Sequence, residues 1–89
     1  MNDASRINEL EKSLKRYCKS NTVGTLTFKY MISPFFREDM VDLRLRLNGC
    51  DFFARNSVPS KVTAKDFIES TIKPMHEKLE QSCLVGKIL

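Results

Sequence analysis

The segment 60–65, which reads SKVTAK, holds the residues best suited to chemistry, because two lysines stand where a helix is predicted to begin. The first backbone N–H groups of a helix have no partner inside the helix and carry partial positive charge. Lys61 and Lys65 would add two full charges beside them. We therefore predict a phosphate-binding site at this helix start.

The composition favours one small folded domain with an anionic partner. The chain has 89 residues, 42% of them hydrophobic, and a formal net charge of +4. Cys18, Cys50 and Cys83 are far apart and odd in number, which argues against a disulfide framework and against a zinc site. With no signal-like start and no apolar run of membrane length, we expect a soluble intracellular protein, cytoplasmic or nuclear, without membrane contact.

The sequence does not indicate an enzyme. His76 is the single histidine, and its charged neighbours suggest a solvated helix residue. Asp39, Asp42 and Asp51 are interpreted as loop or outer-face residues. No catalytic triad order, Gly-rich phosphate loop or metal-ligand spacing is present, so no cofactor, metal or small-molecule substrate is expected.

The elements before the lysine segment are a helix and three strands. Apolar residues at helical spacing predict a helix over about 4–19. Its opposite face is basic, either as a solvated face or as a binding face, and carries Lys12, Lys15, Arg16 and Lys19. Alternating apolar residues predict strands over 25–32, 41–47 and 50–56, the last two joined by an Asn48-Gly49 hairpin turn.

The last element is a helix that begins near the lysine segment. Its N-cap is either Ser60 or Thr63, the latter with Asp66 three residues on. Pro74 predicts a kink or a break. We divide the chain into a domain over 1–82 and an apolar tail over 83–89. The expected fold is α+β, in the order α-β-β-β-α, with two helices on one face of an antiparallel three-stranded sheet.

This order, together with four sequence landmarks over about residues 5–82, resembles the double-stranded RNA-binding domain family, as a degenerate member. The landmarks are Ile7-Asn8-Glu9-Leu10, Ser33-Pro34-Phe35-Phe36-Arg37, Asn48-Gly49 and the segment 60–65. In that family the first helix and the loop after the first strand each contact a minor groove of the duplex. The start of the second helix contacts the phosphates between them.

The resemblance implies a non-catalytic module that recognises A-form RNA by shape and charge, over about 16 base pairs. Asn8 and Glu9 would accept hydrogen bonds from 2′-hydroxyl groups, and Lys61 and Lys65, beside Ser60, would contact phosphates. Arg37 would partly replace a histidine that the family carries in its loop. Val62 replaces a family lysine, which removes one phosphate contact.

Two alternatives remain open at the level of sequence. The first is a protein-interaction or dimerisation module on the same fold, with weak or no RNA binding. Its contact surfaces would be Phe35 and Phe36, the free edge of the third strand, and Leu84 and Val85 of the tail. The second is a small inhibitor or adaptor unrelated to RNA.

Overall fold

The computed structural model describes residues 4–33 and 38–88, and of residues 86–88 the backbone alone. The elements in chain order are α1 (Ala4–Ser20), β1 (Thr25–Met31), β2 (Asp39–Leu47), β3 (Cys50–Val58), α2 (Ala64–Phe67), a π-helical turn (Ile68–Ile72) and α3 (Lys73–Ile88). The last three follow each other without interruption and form one helical run, 64–88. The predicted α-β-β-β-α order is confirmed.

The three strands form one antiparallel sheet in the order β1-β2-β3. The β2–β3 hairpin closes at the Leu47–Cys50 pair. Between them, Asn48 and Gly49 both have positive φ angles, of 51° and 84°. These are the angles of a type I′ turn, whose twist matches that of the strands and which asparagine and glycine tolerate best. The predicted hairpin is confirmed.

The core lies between one face of the sheet and the helices. On β2, Val41, Leu43 and Leu45 are fully buried, and the residues between them face outward. Helix α1 covers this face with Leu10 and Leu14. The helical run 64–88 contributes five buried apolar side chains, which are Phe67, Ile72, Met75, Leu79 and Cys83, and β1 and β3 add Leu26 and Val58. Both helical elements therefore pack on the inner face and leave the outer face of the sheet uncovered by them.

Pro74 does not break the helical run. Before it, the Lys73 N–H donates to the Ile68 carbonyl five residues back, which is the hydrogen bond of a π-helix. A proline ring in a regular α-helix clashes with the carbonyl four residues earlier, here that of Ser70. The wider π-turn relieves this crowding, and α3 continues to Ile88. The predicted apolar tail from residue 83 is thus the last part of α3.

Two polar residues predicted to be solvated are buried instead. Asp39 starts β2 on its inner face, fully buried, and its Oδ2 accepts a hydrogen bond of 2.7 Å from the Tyr30 hydroxyl. His76 is only 9% exposed, and its Nδ1 lies 2.8 Å from the hydroxyl oxygen of Tyr17 on α1. Asp42 and Asp51 do lie on the outer face, as predicted.

Candidate nucleic-acid interface

The helical run begins at Ala64, about one turn after Lys61. Thr63 is the N-cap, because its Oγ1 accepts a hydrogen bond of 3.1 Å from the Asp66 N–H. Ser60 and Lys61 stand in a turn before the cap, where Lys61 has a φ of 65°. Lys65 alone of the two lysines therefore lies in the first helical turn, and the prediction that Lys61 does so is wrong. Both lysines are exposed.

A cleft of about 380 Å³ separates α1 from the start of α2. Glu9 and Ser13 line it from α1, and Thr63 and Lys65 line it from the other side. We call this site the α1–α2 cleft. It places an exposed carboxylate and an exposed ammonium group, 56 residues apart in sequence, at one opening. The structure thus brings Glu9 together with Lys65, two residues singled out from the sequence.

Arg6 ties the two sides of the α1–α2 cleft together. Its guanidinium donates a hydrogen bond to the backbone carbonyl of Val62, immediately before the Thr63 cap. The bond crosses from α1 to the turn that carries Lys61. Because a charged donor makes a stronger bond than a neutral one, this contact fixes the turn relative to α1.

The outward face of α1 carries an excess of basic residues over Glu9 and Glu11. Lys12, Lys15 and Lys19 are exposed and stand four, seven and eleven residues after Asn8, so all four share one face of the helix. Arg16 is exposed beside them. Within residues 4–33 and 38–88, no ion pair involves any of these four basic residues, nor Lys61 or Lys65.

The three arginines of the outer sheet face pair with two carboxylates. The Arg44 guanidinium binds the Asp51 carboxylate with two hydrogen bonds, and Arg46 lies 3.6 Å from the same group. Arg55 binds Asp42 in the same two-pronged way, at 2.7 and 3.1 Å. The hydrogen bond from Arg44 lowers the pKa of the Asp51 carboxyl. Among the described residues, Lys29 is an exposed outer-face cation with no ion pair, whereas six such cations lie on α1 and beside the α1–α2 cleft. Cations without an ion pair are therefore more numerous on α1 and around the cleft than on the outer face of the sheet.

The other predicted contact residues are only partly placed. Phe35, Phe36 and Arg37 lie outside the described residues. Leu84 and Val85 are 53% and 55% exposed on α3. Phe53, which was not among the predicted contact residues, is 66% exposed on the outer face of β3. The alternation of Asp51, Phe53 and Arg55 at a spacing of two was the sequence signal that Phe53 lies on the charged outer face.

No helix of the described residues is long and apolar enough to cross a membrane. The same part of the chain has no group of three or more His, Cys, Asp or Glu side chains that could hold a metal ion. Comparison of the chain with protein-family models, with curated proteins and with solved structures gave no match.

Proposed function

We propose that this chain is a non-catalytic module that binds double-stranded RNA by shape and phosphate contacts. The observation that carries the proposal is the α1–α2 cleft, where Glu9 and Lys65 stand at one opening. The helix that carries Glu9 also has four exposed cations that form no ion pair within the described residues. This pairing of an acceptor with cations matches a surface that presents both hydroxyl donors and phosphates.

Duplex RNA offers those two groups side by side. Its wide, shallow minor groove displays 2′-hydroxyl groups, and phosphates flank both grooves. A carboxylate such as Glu9 accepts hydrogen bonds from hydroxyl groups but repels phosphates, so it favours the minor groove. Asn8, one residue earlier on the exposed surface of α1, is a second acceptor. Lys61 and Lys65 supply point charges for the phosphates, next to the Ser60 hydroxyl.

The direction in which Glu9→Ala changes the affinity for RNA distinguishes hydrogen bonding to 2′-hydroxyl groups from simple charge attraction. Glu9→Ala raises the net charge of the protein, so a purely electrostatic complex should bind RNA more tightly. If Glu9 accepts a bond from a 2′-hydroxyl, the variant should bind about fivefold more weakly, for a lost hydrogen bond of about 1 kcal/mol. Lys65→Ala should weaken binding in both cases.

Fluorescence anisotropy with a labelled RNA duplex of about 20 base pairs, long enough for one site, measures these affinities. Glu77→Ala and Lys78→Ala are matched controls, since both residues are exposed on α3 and change the net charge by the same amounts. We expect the controls to bind like the unaltered chain. Tighter binding by Glu9→Ala, or equal effects of Lys65→Ala and Lys78→Ala, would refute the proposed interface.

A further inference from the structure

The β3 strand is an open edge of the sheet. The order β1-β2-β3 leaves one side of β3 without a strand neighbour among the described residues. Such an edge presents unpaired backbone N–H and C=O groups and can accept a further strand. Two phenylalanines stand on it, Phe52 with 42% and Phe53 with 66% of its surface exposed.

The hairpin geometry determines which residues of β3 direct their backbone groups to the open edge. In a two-residue turn the closing pair, Leu47 and Cys50, exchanges hydrogen bonds, and the pairs then alternate along the ladder. The residues at odd positions of β3, from 51 to 57, therefore direct their N–H and C=O groups to the open edge. The Ser57 N–H is consistent with this pattern, because it donates a hydrogen bond of 2.9 Å to a side-chain oxygen, the Asn56 Oδ1.

We propose that β3 pairs with β3 of a second copy of this chain, antiparallel, about a twofold axis at Phe53. Phe53 then faces Phe53 of the second copy, and Asp51 faces Arg55 of the second copy on each side of the axis. All three residues have outward backbone groups and lie on the outer face of the sheet. The result is one continuous sheet of six strands.

Charge complementarity selects this register. A twofold at Phe52 would place Asp51 opposite Phe53, and a twofold at Ala54 would place Phe53 opposite Arg55. With the axis at Phe53, each Asp51 meets an Arg55, and opposite charges at directly paired positions stabilise a sheet.

The ion pairs already present inside each copy extend this complementarity. Arg44 binds Asp51 on one side of the open edge, and Asp42 binds Arg55 on the other side in the second copy. Across the junction the charges therefore alternate in sign from Arg44 through Asp51 to Arg55 and Asp42 of the second copy. No carboxylate or guanidinium meets its own sign.

This dimer does not rest on RNA binding. Its contacts come from the edge and outer face of the sheet, whereas α1 and α2 pack on the inner face. The α1–α2 cleft therefore stays accessible in each copy. The two proposals are independent, because dimer formation is measured without RNA and RNA binding is measured with variants outside β3.

Sedimentation equilibrium of the whole chain without RNA, from about 5 to about 200 μM, tests the association directly. We expect a monomer–dimer equilibrium that Phe53→Lys weakens at least about tenfold, because two like charges would then meet at the axis. Val23→Lys is the control, because it places a lysine at an exposed apolar position before β1, outside the proposed contact, and it should leave the equilibrium unchanged. A monomer at every concentration, or a dimer indifferent to Phe53→Lys, would overturn the proposal.

A cysteine substitution tests the register itself. Directly opposed, hydrogen-bonded residues in an antiparallel ladder have Cα atoms about 5.5 Å apart, which suits a disulfide. Under oxidised glutathione, Phe53→Cys should give a covalent dimer that peptide mass spectrometry assigns to a 53–53 link. Arg55→Cys should not, since position 55 faces Asp51 and lies far from position 55 of the second copy. A 55–55 link, or no 53–53 link in a dimer, would contradict this register.

Discussion

The salt dependence of RNA binding gives a quantitative test of the two lysines around the cap. Each phosphate contact made by a cation contributes about 0.9 to the slope of log affinity against log salt. Lys61 and Lys65 are exposed and have no ion pair within the described residues, so each charge is available to a phosphate. Lys61→Ala/Lys65→Ala should therefore reduce the slope by about 1.8.

This change in slope is large enough to measure. Between about 50 mM and about 200 mM salt, the logarithm of concentration changes by about 0.6, so the affinity advantage of the unaltered chain should shrink about twelvefold. Anisotropy titrations with the RNA duplex at four salt concentrations supply both slopes. The control is Lys29→Ala/Lys78→Ala, which removes two exposed lysines distant from the cleft. Parallel lines for the unaltered chain and the Lys61/Lys65 variant would refute the phosphate contacts.

Three further predictions concern stability and thiol chemistry. Tyr17→Phe leaves a nitrogen of the buried His76 unpaired, so thermal unfolding should show a loss of about 1–2 kcal/mol, or about 4–16 °C in Tm. Thr63→Ala removes the cap on the Asp66 N–H and should cost about 1 kcal/mol in urea unfolding, whereas Thr63→Ser should cost little. Burial raises the pKa of the Cys18 thiol from 9.0 to about 11. Its alkylation at pH 8, followed by mass spectrometry, should be about 100-fold slower in the folded chain than in urea; equal rates would contradict this.

The raised thiol pKa also fixes the direction of a pH effect on stability. A folded state with the higher pKa binds more protons than the unfolded state between pH 9 and about 11. This contribution of Cys18 is therefore complete below pH 9 and is lost as the pH rises through 11. Cys18→Ala should flatten the fall in stability over that range.

Local periodicity was sufficient to predict the strands and their faces. Alternation along β2 assigned Val41, Leu43 and Leu45 to the core and Arg44 to the outer face, because side-chain direction in a strand depends only on position. The same rule assigns Asp39 to the inner face. Asp39 was nevertheless predicted to lie in a loop or on the outer face, because a buried carboxylate needs a hydrogen-bond partner and none was evident in the sequence. Tyr30 on the neighbouring strand is that partner.

Features that depend on distant partners were not predictable in this way. His76 is buried because Tyr17 on α1 binds its ring, and nothing near His76 in the sequence reveals that contact. The cap was ambiguous for a different reason. Ser60 and Thr63 are both good N-caps, and the choice fell on Thr63 because its hydroxyl reaches the Asp66 N–H. That choice moved Lys61 out of the helix.

Two residues of the predicted site, Glu9 and Lys65, line one cleft even though Lys61 lies outside the helix. Glu9 and Lys65 come together because α1 and the helical run pack on the same face of the sheet, which follows from the order of elements. The cleft itself also depends on the bond from Arg6 to the Val62 carbonyl. A side-chain bond to a backbone group leaves no pattern in the sequence, so the closeness of the two walls could not be anticipated.

The most direct test of the central claim compares RNA and DNA duplexes of one sequence and about 20 base pairs, titrated with the unaltered chain by fluorescence anisotropy. Only the RNA duplex has 2′-hydroxyl groups and the A-form minor groove that Asn8 and Glu9 are proposed to contact. We predict binding to RNA at least about tenfold tighter than to DNA, with the preference reduced in Glu9→Ala. Equal affinity for the two duplexes, or no binding to RNA, would contradict the proposed function.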